Sequence, residues 1–563
     1  MKNIITEKEI KEARSILQKY KDGKTSLEKR IVEDEMFWKR RHWEVLRKPE
    51  EKTKPSSAWM FNAIANKHAD AMDSYPEAIC LPREESDEES ANTLTQILPV
   101  TLERNNFENI YSDNWWYKLK HGTCAYGVFW DNSLENGLGD VQVTKIDLLN
   151  IFWEPGIRDI QKSRNLFICD LRPVDELREK YPKAEIKGGE QTEIKKYIYD
   201  DNIDTSDKAL VVDWYYKKQG RLCYCKFCEE SILYSSENEG IDSWYNDGEY
   251  PVVFDVLYPE EGTAVGFGII SVTKDAQLYI DMLDEKVMNY IHAAANPRFF
   301  AKNGAGINEQ EFLDTSKPIV HVEGDVEERK VRQIVVQPLN GYVMNFREAK
   351  IEELKETSSN RDFSQGGTAG GVTSGAAIAV LQEAGNKTSR DMIEASYRAF
   401  TKIIHKIIER MRQFYDESRT FRILGESGER QYLQFDNSGI REQSMGVIGE
   451  QELFRKPIFD IDVKPQKQNP YSTLSQNETA MNLYNAGFFN PEAAQQALPA
   501  LKMMTFEGKK EVEDYVNQGA TLQNQLLQMQ QQMEMLMREN MALRGVTPQT
   551  EGASPFPTTQ GRL

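Results

Sequence analysis

Cys223, Cys225 and Cys228 lie together in RLCYCKFC, where soft metal ligands crowd closest in this chain. A zinc site needs four donors, usually as short-spaced pairs. No fourth donor is near, and the segment alternates like a β-strand, so it reads as strand rather than metal centre. Cys80, Cys124 and Cys169 are scattered. The N-terminus, MKNIITEKEIKEARSILQKYKDGKTSLEKR, is charged throughout and lacks a signal peptide's apolar core. Together these features lead us to expect reduced thiols in a cytoplasm.

Other constellations that carry chemistry fare no better. His42, His68, His121, His292, His321 and His405 are far apart, and no HExxH, GxSxG or paired Cys–His motif occurs. With 89 acidic residues, accidental carboxylate pairs are everywhere, so a string such as Asp460 to Asp462 (DID) has no weight as a nuclease site. Gly366, Gly367, Gly370, Gly371 and Gly375 crowd into SSNRDFSQGGTAGGVTSGAA. Such density suits a chain that bends sharply, moves or lies against something. A phosphate cradle needs GxxxxGK[ST]. The nearby Lys387-Thr388 follows Asn386, so the pattern fails. We expect no enzyme, no metal and no cofactor.

The chain has 563 residues, with 70 Lys and Arg against 89 Asp and Glu, a net charge of −19. At about 150 residues per domain, the length suggests three to four domains. A broad grip on duplex DNA needs a basic balance, so DNA, if a partner, is touched locally or slides past. No run of about 18 apolar residues could cross a membrane.

The elements divide the chain into an α+β, mainly helical protein. Helical patterns cover Glu33 to Leu46, SAWMFNAIANKHADAMDSYPE up to Pro76, Ala91 to Asn105 and Glu108 to His121, and Pro99 is expected to kink or break the third. From Gly122 to about Gly268, GTCAYGVFWD, VQVTKIDLL, NLFICDLR, ALVVDWYYKK, RLCYCKF and PVVFDVLY read as strands, with a hairpin at Gln219-Gly220. Helix returns after Ser271, placing Ala276, Tyr279, Leu283, Val287, Tyr290 and Ile291 near one face, and ends at Asn296-Pro297. PIVHVEG and KVRQIVV suggest two strands around Glu323-Gly324-Asp325, before a helix over about Tyr342 to Lys355. A very long helix is expected over Ala376 to Asp416, bent at Gly385. Its seam of Ile393, Tyr397, Phe400, Ile404, Ile407, Met411 and Phe414 steps alternately by four and three. The last helix repeats that step through Leu522, Leu526, Met529, Met533, Leu536, Asn540 and Leu543.

WMFNAIANKHADAMDSYPEAICLPRE, LTQILPVTLERNNFENIYSDNWWYKLKHGTCAYGVFWD and KIDLLNIFWEPGIRDIQKSRNLF resemble the portal proteins of tailed bacteriophages. The second half has the matching order of helix, insert, returning helix, Gly-rich loop and long helix. The resemblance covers about residues 30 to 545. It implies a portal fold divided as follows: a wing region over 1–270, a first stem helix over 271–296, a clip over 297–340 and a second stem helix over 341–358. A tunnel loop over 359–375, a long wing helix with strands over 376–467 and a helical crown over 468–545 complete it, and by composition the remainder, VTPQTEGASPFPTTQGRL over 546–563, reads as a disordered tail. It further implies a homo-oligomeric ring, a dodecamer, at one capsid vertex of the virion, made late in infection in the host cytoplasm. Double-stranded DNA enters through this head–tail connector by way of the terminase large subunit, which holds the ATPase, and later leaves by the same route. A head–tail adaptor, the major capsid protein and scaffolding protein are the other implied partners, with a role in nucleating capsid assembly.

On that resemblance Arg361, Gln365, Gly366, Gly367, Thr368, Gly370 and Gly371 face the DNA. Tyr279, Leu283, Val287 and Ile291 pack subunits in the stem. The seam of Ile393, Tyr397, Phe400, Ile404, Ile407 and Met411 and the stem face are expected to supply the apolar surface for ring assembly. The acidic balance suits a channel that does not hold DNA. The alternatives are a minor capsid or scaffold-like coiled-coil protein, favoured only by the last helix, and a DNA-processing enzyme.

Overall fold

The structure is a computed structural model. It describes residues 5–45, 54–182, 184–186, 207–296, 299–301, 308–314, 321, 323, 331–335, 337, 339–359, 387–424, 430–448, 451–465, 481–487, 498, 501 and 509–543. The chain separates into two compact units, Met1–Gln466 and Lys467–Leu563, where length alone suggests three to four.

The first unit opens with helices. α1 spans Glu7–Trp38 and starts in a capping box, with the Thr6 and Glu9 side chains reaching each other's backbone N–H. The short α2 (His42–Val45) and α3 (Trp59–Met72) follow, then α4 (Glu88–Arg104) and α5 (Phe107–His121). α4 runs unbroken through Pro99, contrary to expectation. Pro99 is exposed, so water can satisfy the carbonyl that its missing N–H leaves free, while Leu94, Ile97, Leu98 and Leu102 hold the opposite face in the core. Between α3 and α4 lies a strand that the helical reading missed, β1 (Pro76–Pro82), whose buried positions alternate at Pro76, Ala78 and Cys80.

Strands follow α5. β2 (Thr123–Asp131) and β3 (Asp140–Ile146) form a hairpin. β4 (Ile151–Trp153), β5 (Asn165–Pro173), β6 (Lys208–Lys218), β7 (Arg221–Cys228) and β8 (Ser231–Ser235) form an antiparallel sheet in chain order. Gln219 and Gly220 both take positive φ, 53° and 79°, which gives the β6–β7 turn a twist matching the strands. β9 (Val252–Val256) returns to pair with β2, making the order β3-β2-β9. All six cysteines are buried thiols, and the three in β7 point into packed sheet rather than toward a common ion. α6 (Val174–Lys180) packs Val174 and Leu177 into a small cluster with Ala209 and Val211 of β6 and Cys228 of β7.

After the short pair β10 (Tyr258–Pro259) and β11 (Gly266–Phe267) comes α7 (Ile269–Ala295). Its start is pressed against the end of α5. A Cβ at Gly268 would lie 2.3 Å from the Lys120 carbonyl oxygen, and one at Gly122 (φ +87°) 2.2 Å from the Phe267 carbonyl carbon. In the insert, β12 (Phe299–Ala301) pairs with β13 (Val331–Gln333), and α8 (Glu309–Leu313) lies between them in sequence. Most of PIVHVEG and its turn at Gly324-Asp325 lie outside the described residues. α9 (Gly341–Thr357) is capped by the Asn340 side chain, which accepts from the Tyr342 N–H.

α10 covers Lys387–Phe414. The expected stretch from Ala376 to Asn386, with its bend at Gly385, lies outside the described residues. β14 (Arg419–Leu424) and β15 (Arg430–Phe435) form one hairpin, β16 (Gln443–Ile448) and β17 (Gln451–Arg455) another, and β18 (Phe459–Pro465) pairs antiparallel with β1. In the second unit α11 spans Lys509–Leu543. It starts nine residues before Gln518, where the sequence pattern begins, and passes straight through Gly519. Leu526, Met529, Met533, Leu536 and Leu543 are all exposed on it.

Candidate functional site

The seam of α10 is the centre of the first unit's core. Phe400, Ile404, Ile407 and Met411 are buried, joined by Met392, Ala399, Ile403 and Ile408, and Ile393 and Phe414 pack from the edge. Phe400 meets Phe107 of α5, and Phe414 stacks on Trp130 of β2. Tyr397 sits at the margin and donates from its hydroxyl to the Ser74 carbonyl. The expectation that this seam supplies surface for assembly is therefore corrected: its own chain already covers it. Inside that core a charge is enclosed. Lys118 Nζ lies 2.7 Å from Asp255 Oδ1 and over the Trp115 ring, and Ser396 Oγ donates to Asp255 Oδ2 at 2.6 Å. The pair clamps α5, β9 and α10 together.

α7 buries a polar stripe beside its apolar contacts. Thr273, Gln277, Asp281 and Glu285, four apart, face inward and are buried. Asp281 Oδ1 accepts from the Ser57 N–H and hydroxyl. Gln277 accepts from the Met60 N–H and donates to Ser57. His42 Nε2 lies 3.1 Å from Asp281 Oδ2, and its ring stacks on Phe37. Nearby, Ser271 donates to Asp34, whose carboxyl is pushed up to about 7 by burial, against the pull of Lys274 and Arg30. Glu35 goes the other way: burial raises it, but His121 and Lys120 outweigh burial and bring it to about 2. This polar stripe was missed from the sequence, although its spacing of four was visible there.

Ile269, Ile270 and Ile280 of α7 are buried, but other apolar residues of the helix point outward. Tyr279 is 51% exposed and Ile291 49%, with Leu283 and Val287 half-buried. Packed beside α7, α9 exposes Tyr342, Met344 and Phe346. A guanidinium–carboxylate fork from Arg347 to Asp284, Ile280 against Ile351 and Leu354, and Trp59 hold the helix pair together. The expected tunnel-loop residues, Arg361, Gln365, Gly366, Gly367, Thr368, Gly370 and Gly371, lie outside the described residues. Among the described residues no group of three or more His, Cys, Asp or Glu could hold a metal ion, and no helix is long and apolar enough to cross a membrane.

The chain is α+β, with the apolar seam of α10 used internally and apolar side chains of α7 and α9 turned outward. The sequence pattern of the family described as Phage P22-like portal protein matches residues 60–253 and 217–552. The chain belongs to that family of virion structural proteins and is a portal protein. Among solved structures it is similar to a chain described as "Virion of native gene transfer agent (GTA) particle", with 10% identity and a TM-score of 0.38, over 78% of this chain and 90% of that one. A likeness of that degree says nothing further about this chain. No curated protein matches it.

Proposed function

We propose that this chain closes into a dodecameric ring at one vertex of a phage capsid, and that double-stranded DNA passes through its central channel, inward during packaging and outward at ejection. The division into wing, stem, clip, tunnel loop and crown belongs to this reading. α7 and α9 are the stem, with Tyr279, Leu283, Val287 and Ile291 packing neighbouring copies, and Arg361, Gln365, Gly366, Gly367, Thr368, Gly370 and Gly371 lining the channel. The terminase large subunit and the head–tail adaptor dock on the insert between α7 and α9, and contacts with capsid and scaffolding proteins let the ring nucleate the shell. The chain itself does no hydrolysis. The ring is made in the host cytoplasm.

Membership of the portal family over most of the chain carries this reading. The outward apolar face of α7 and α9 supports it, since a lone helix pair with that much exposed aromatic and aliphatic surface needs a partner. The test is the purified full-length chain by light scattering and negative-stain imaging. A ring with a central hole is expected. A monomer that cleaves DNA with Mg²⁺, or a thin rod, would overturn the reading.

A further inference from the structure

Most arginines of the first unit are paired within the chain, as Arg83 is with Asp460, Arg104 with Glu135 and Asp140, and Arg455 with Glu84 and Asp87. The β14–β15 hairpin departs from that pattern. Phe421, Ile423 and Phe435 fill its inner face. Its outer face carries Thr420, Arg422, Arg430, Tyr432 and Gln434, with Arg422 directly opposite Tyr432. Arg422 and Arg430 are exposed and have no ion pair among the described residues, and Tyr432 is 72% exposed. Neither strand, RTFRIL nor RQYLQF, contains an acidic residue. Tyrosine and arginine are the side chains that most often dominate interface energetics.

We propose that this face docks on a second copy of the chain, at the exposed acidic run Glu85, Glu88 and Glu89 that leads into α4. The charges are complementary, and those three carboxylates also lack an ion pair among the described residues. The placement adds a second reason. The Arg104 guanidinium, in the last turn of α4, lies 5.0 Å over the ring of Phe421, next to Arg422. Glu88 and Glu89 form its first turn. At 1.5 Å per residue the two ends are about 24 Å apart. Patches fixed at opposite ends of one stiff element do not meet within a copy but can meet head-to-tail between copies, the contact a closed ring uses. The inference therefore rests on the ring reading. Duplex DNA is the other anionic occupant to consider, but two arginines on a chain of net charge −19 give it a poor grip.

The test uses the full-length chain with Arg422→Glu plus Arg430→Glu, with Glu88→Lys plus Glu89→Lys, and with all four together. Mass is followed by light scattering against protein concentration. Like charges placed in contact should raise the concentration for half-assembly about tenfold or more in each two-residue variant, and the fourfold variant should recover most of that loss. Circular dichroism melting checks the fold. If a reversed variant melts below the parent, Arg422→Gln plus Arg430→Gln replaces it, with about a threefold shift expected because only attraction is lost. Arginine variants that assemble like the parent overturn the contact, as does a fourfold variant worse than either pair. So does unchanged assembly with weakened duplex-DNA binding, which gives the face to nucleic acid. A parent ring with indifferent variants overturns this contact alone, whereas a parent that stays monomeric overturns the ring reading with it.

Discussion

Replacing Asp255 by Ala should be among the most damaging single changes in the first unit. Lys118 and Asp255 are both essentially without solvent contact, 2.7 Å apart. Removing the carboxylate strands the ammonium in the core beside Trp115, and breaking a buried pair in this way costs about 3–5 kcal/mol. Unfolding entropy is about 2.1 cal/mol/K per residue, so for a unit the size of Met1–Gln466 it totals about 1 kcal/mol/K, and the melting temperature should fall by about 3–5 °C. Lys118→Met, Asp255→Leu and Ser396→Ala together remove the charge, its partner and the hydroxyl bound to it. That triple variant should melt near the parent, because apolar replacement of a whole buried ion pair is often neutral. Thermal melting by circular dichroism at a fixed, low protein concentration reads both. An Asp255→Ala protein that melts within 1 °C of the parent, or a triple variant no better than the single one, would refute the argument.

The Asp34 carboxyl, raised from 3.8 to about 7 in the fold, keeps a proton that the unfolded chain has released between those values, so its contribution is complete below pH 4 and lost as pH rises through 7. Asp34→Asn should therefore flatten the fall in stability between pH 5 and 8 by about 3 kcal/mol, read as a shallower fall in melting temperature, and an unchanged pH slope counts against it. Because α11 passes through Gly519, truncation belongs after Gln466 rather than inside the helix. Such a chain should still give rings by light scattering, and monomers alone would move assembly to the second unit. Gly367→Pro with Gly370→Pro should leave rings intact yet shorten the DNA packaged in particles carrying them. Full-length genomes from normal rings would remove the loop from the channel.

Local pattern was legible where one periodicity ruled. The strands of β2, β5, β6, β7 and β9 are β-branched and aromatic runs, and α10 shows its seam in steps of four and three, as found. β1 was not legible, because PEAICLP has only Ala78 and Cys80 as inward small residues and its stability comes from a partner far along the chain. α7 was legible only in part. Thr273, Gln277, Asp281 and Glu285 are buried beside Ile269, Ile270 and Ile280, and a reading that follows apolar residues alone passes over such a polar stripe. Whether the α10 seam is covered by its own chain or by another copy also cannot be seen in a pattern, since an apolar stripe looks the same against its own sheet or against a neighbour.

The pairing of β1 with β18 has a kinetic consequence. Ile79 sits opposite Asp462, so roughly 380 residues must be made after the first strand before its partner exists. At about 5–20 residues per second, β1 waits about 20–75 s on the ribosome with an unpaired edge, the kind of edge that recruits stray strands. Arg83 and Asp460, forked together at the end of that pairing, also come together only then. A newly made chain is thus unable to finish its first unit until β18, at the very end of that unit, has been translated.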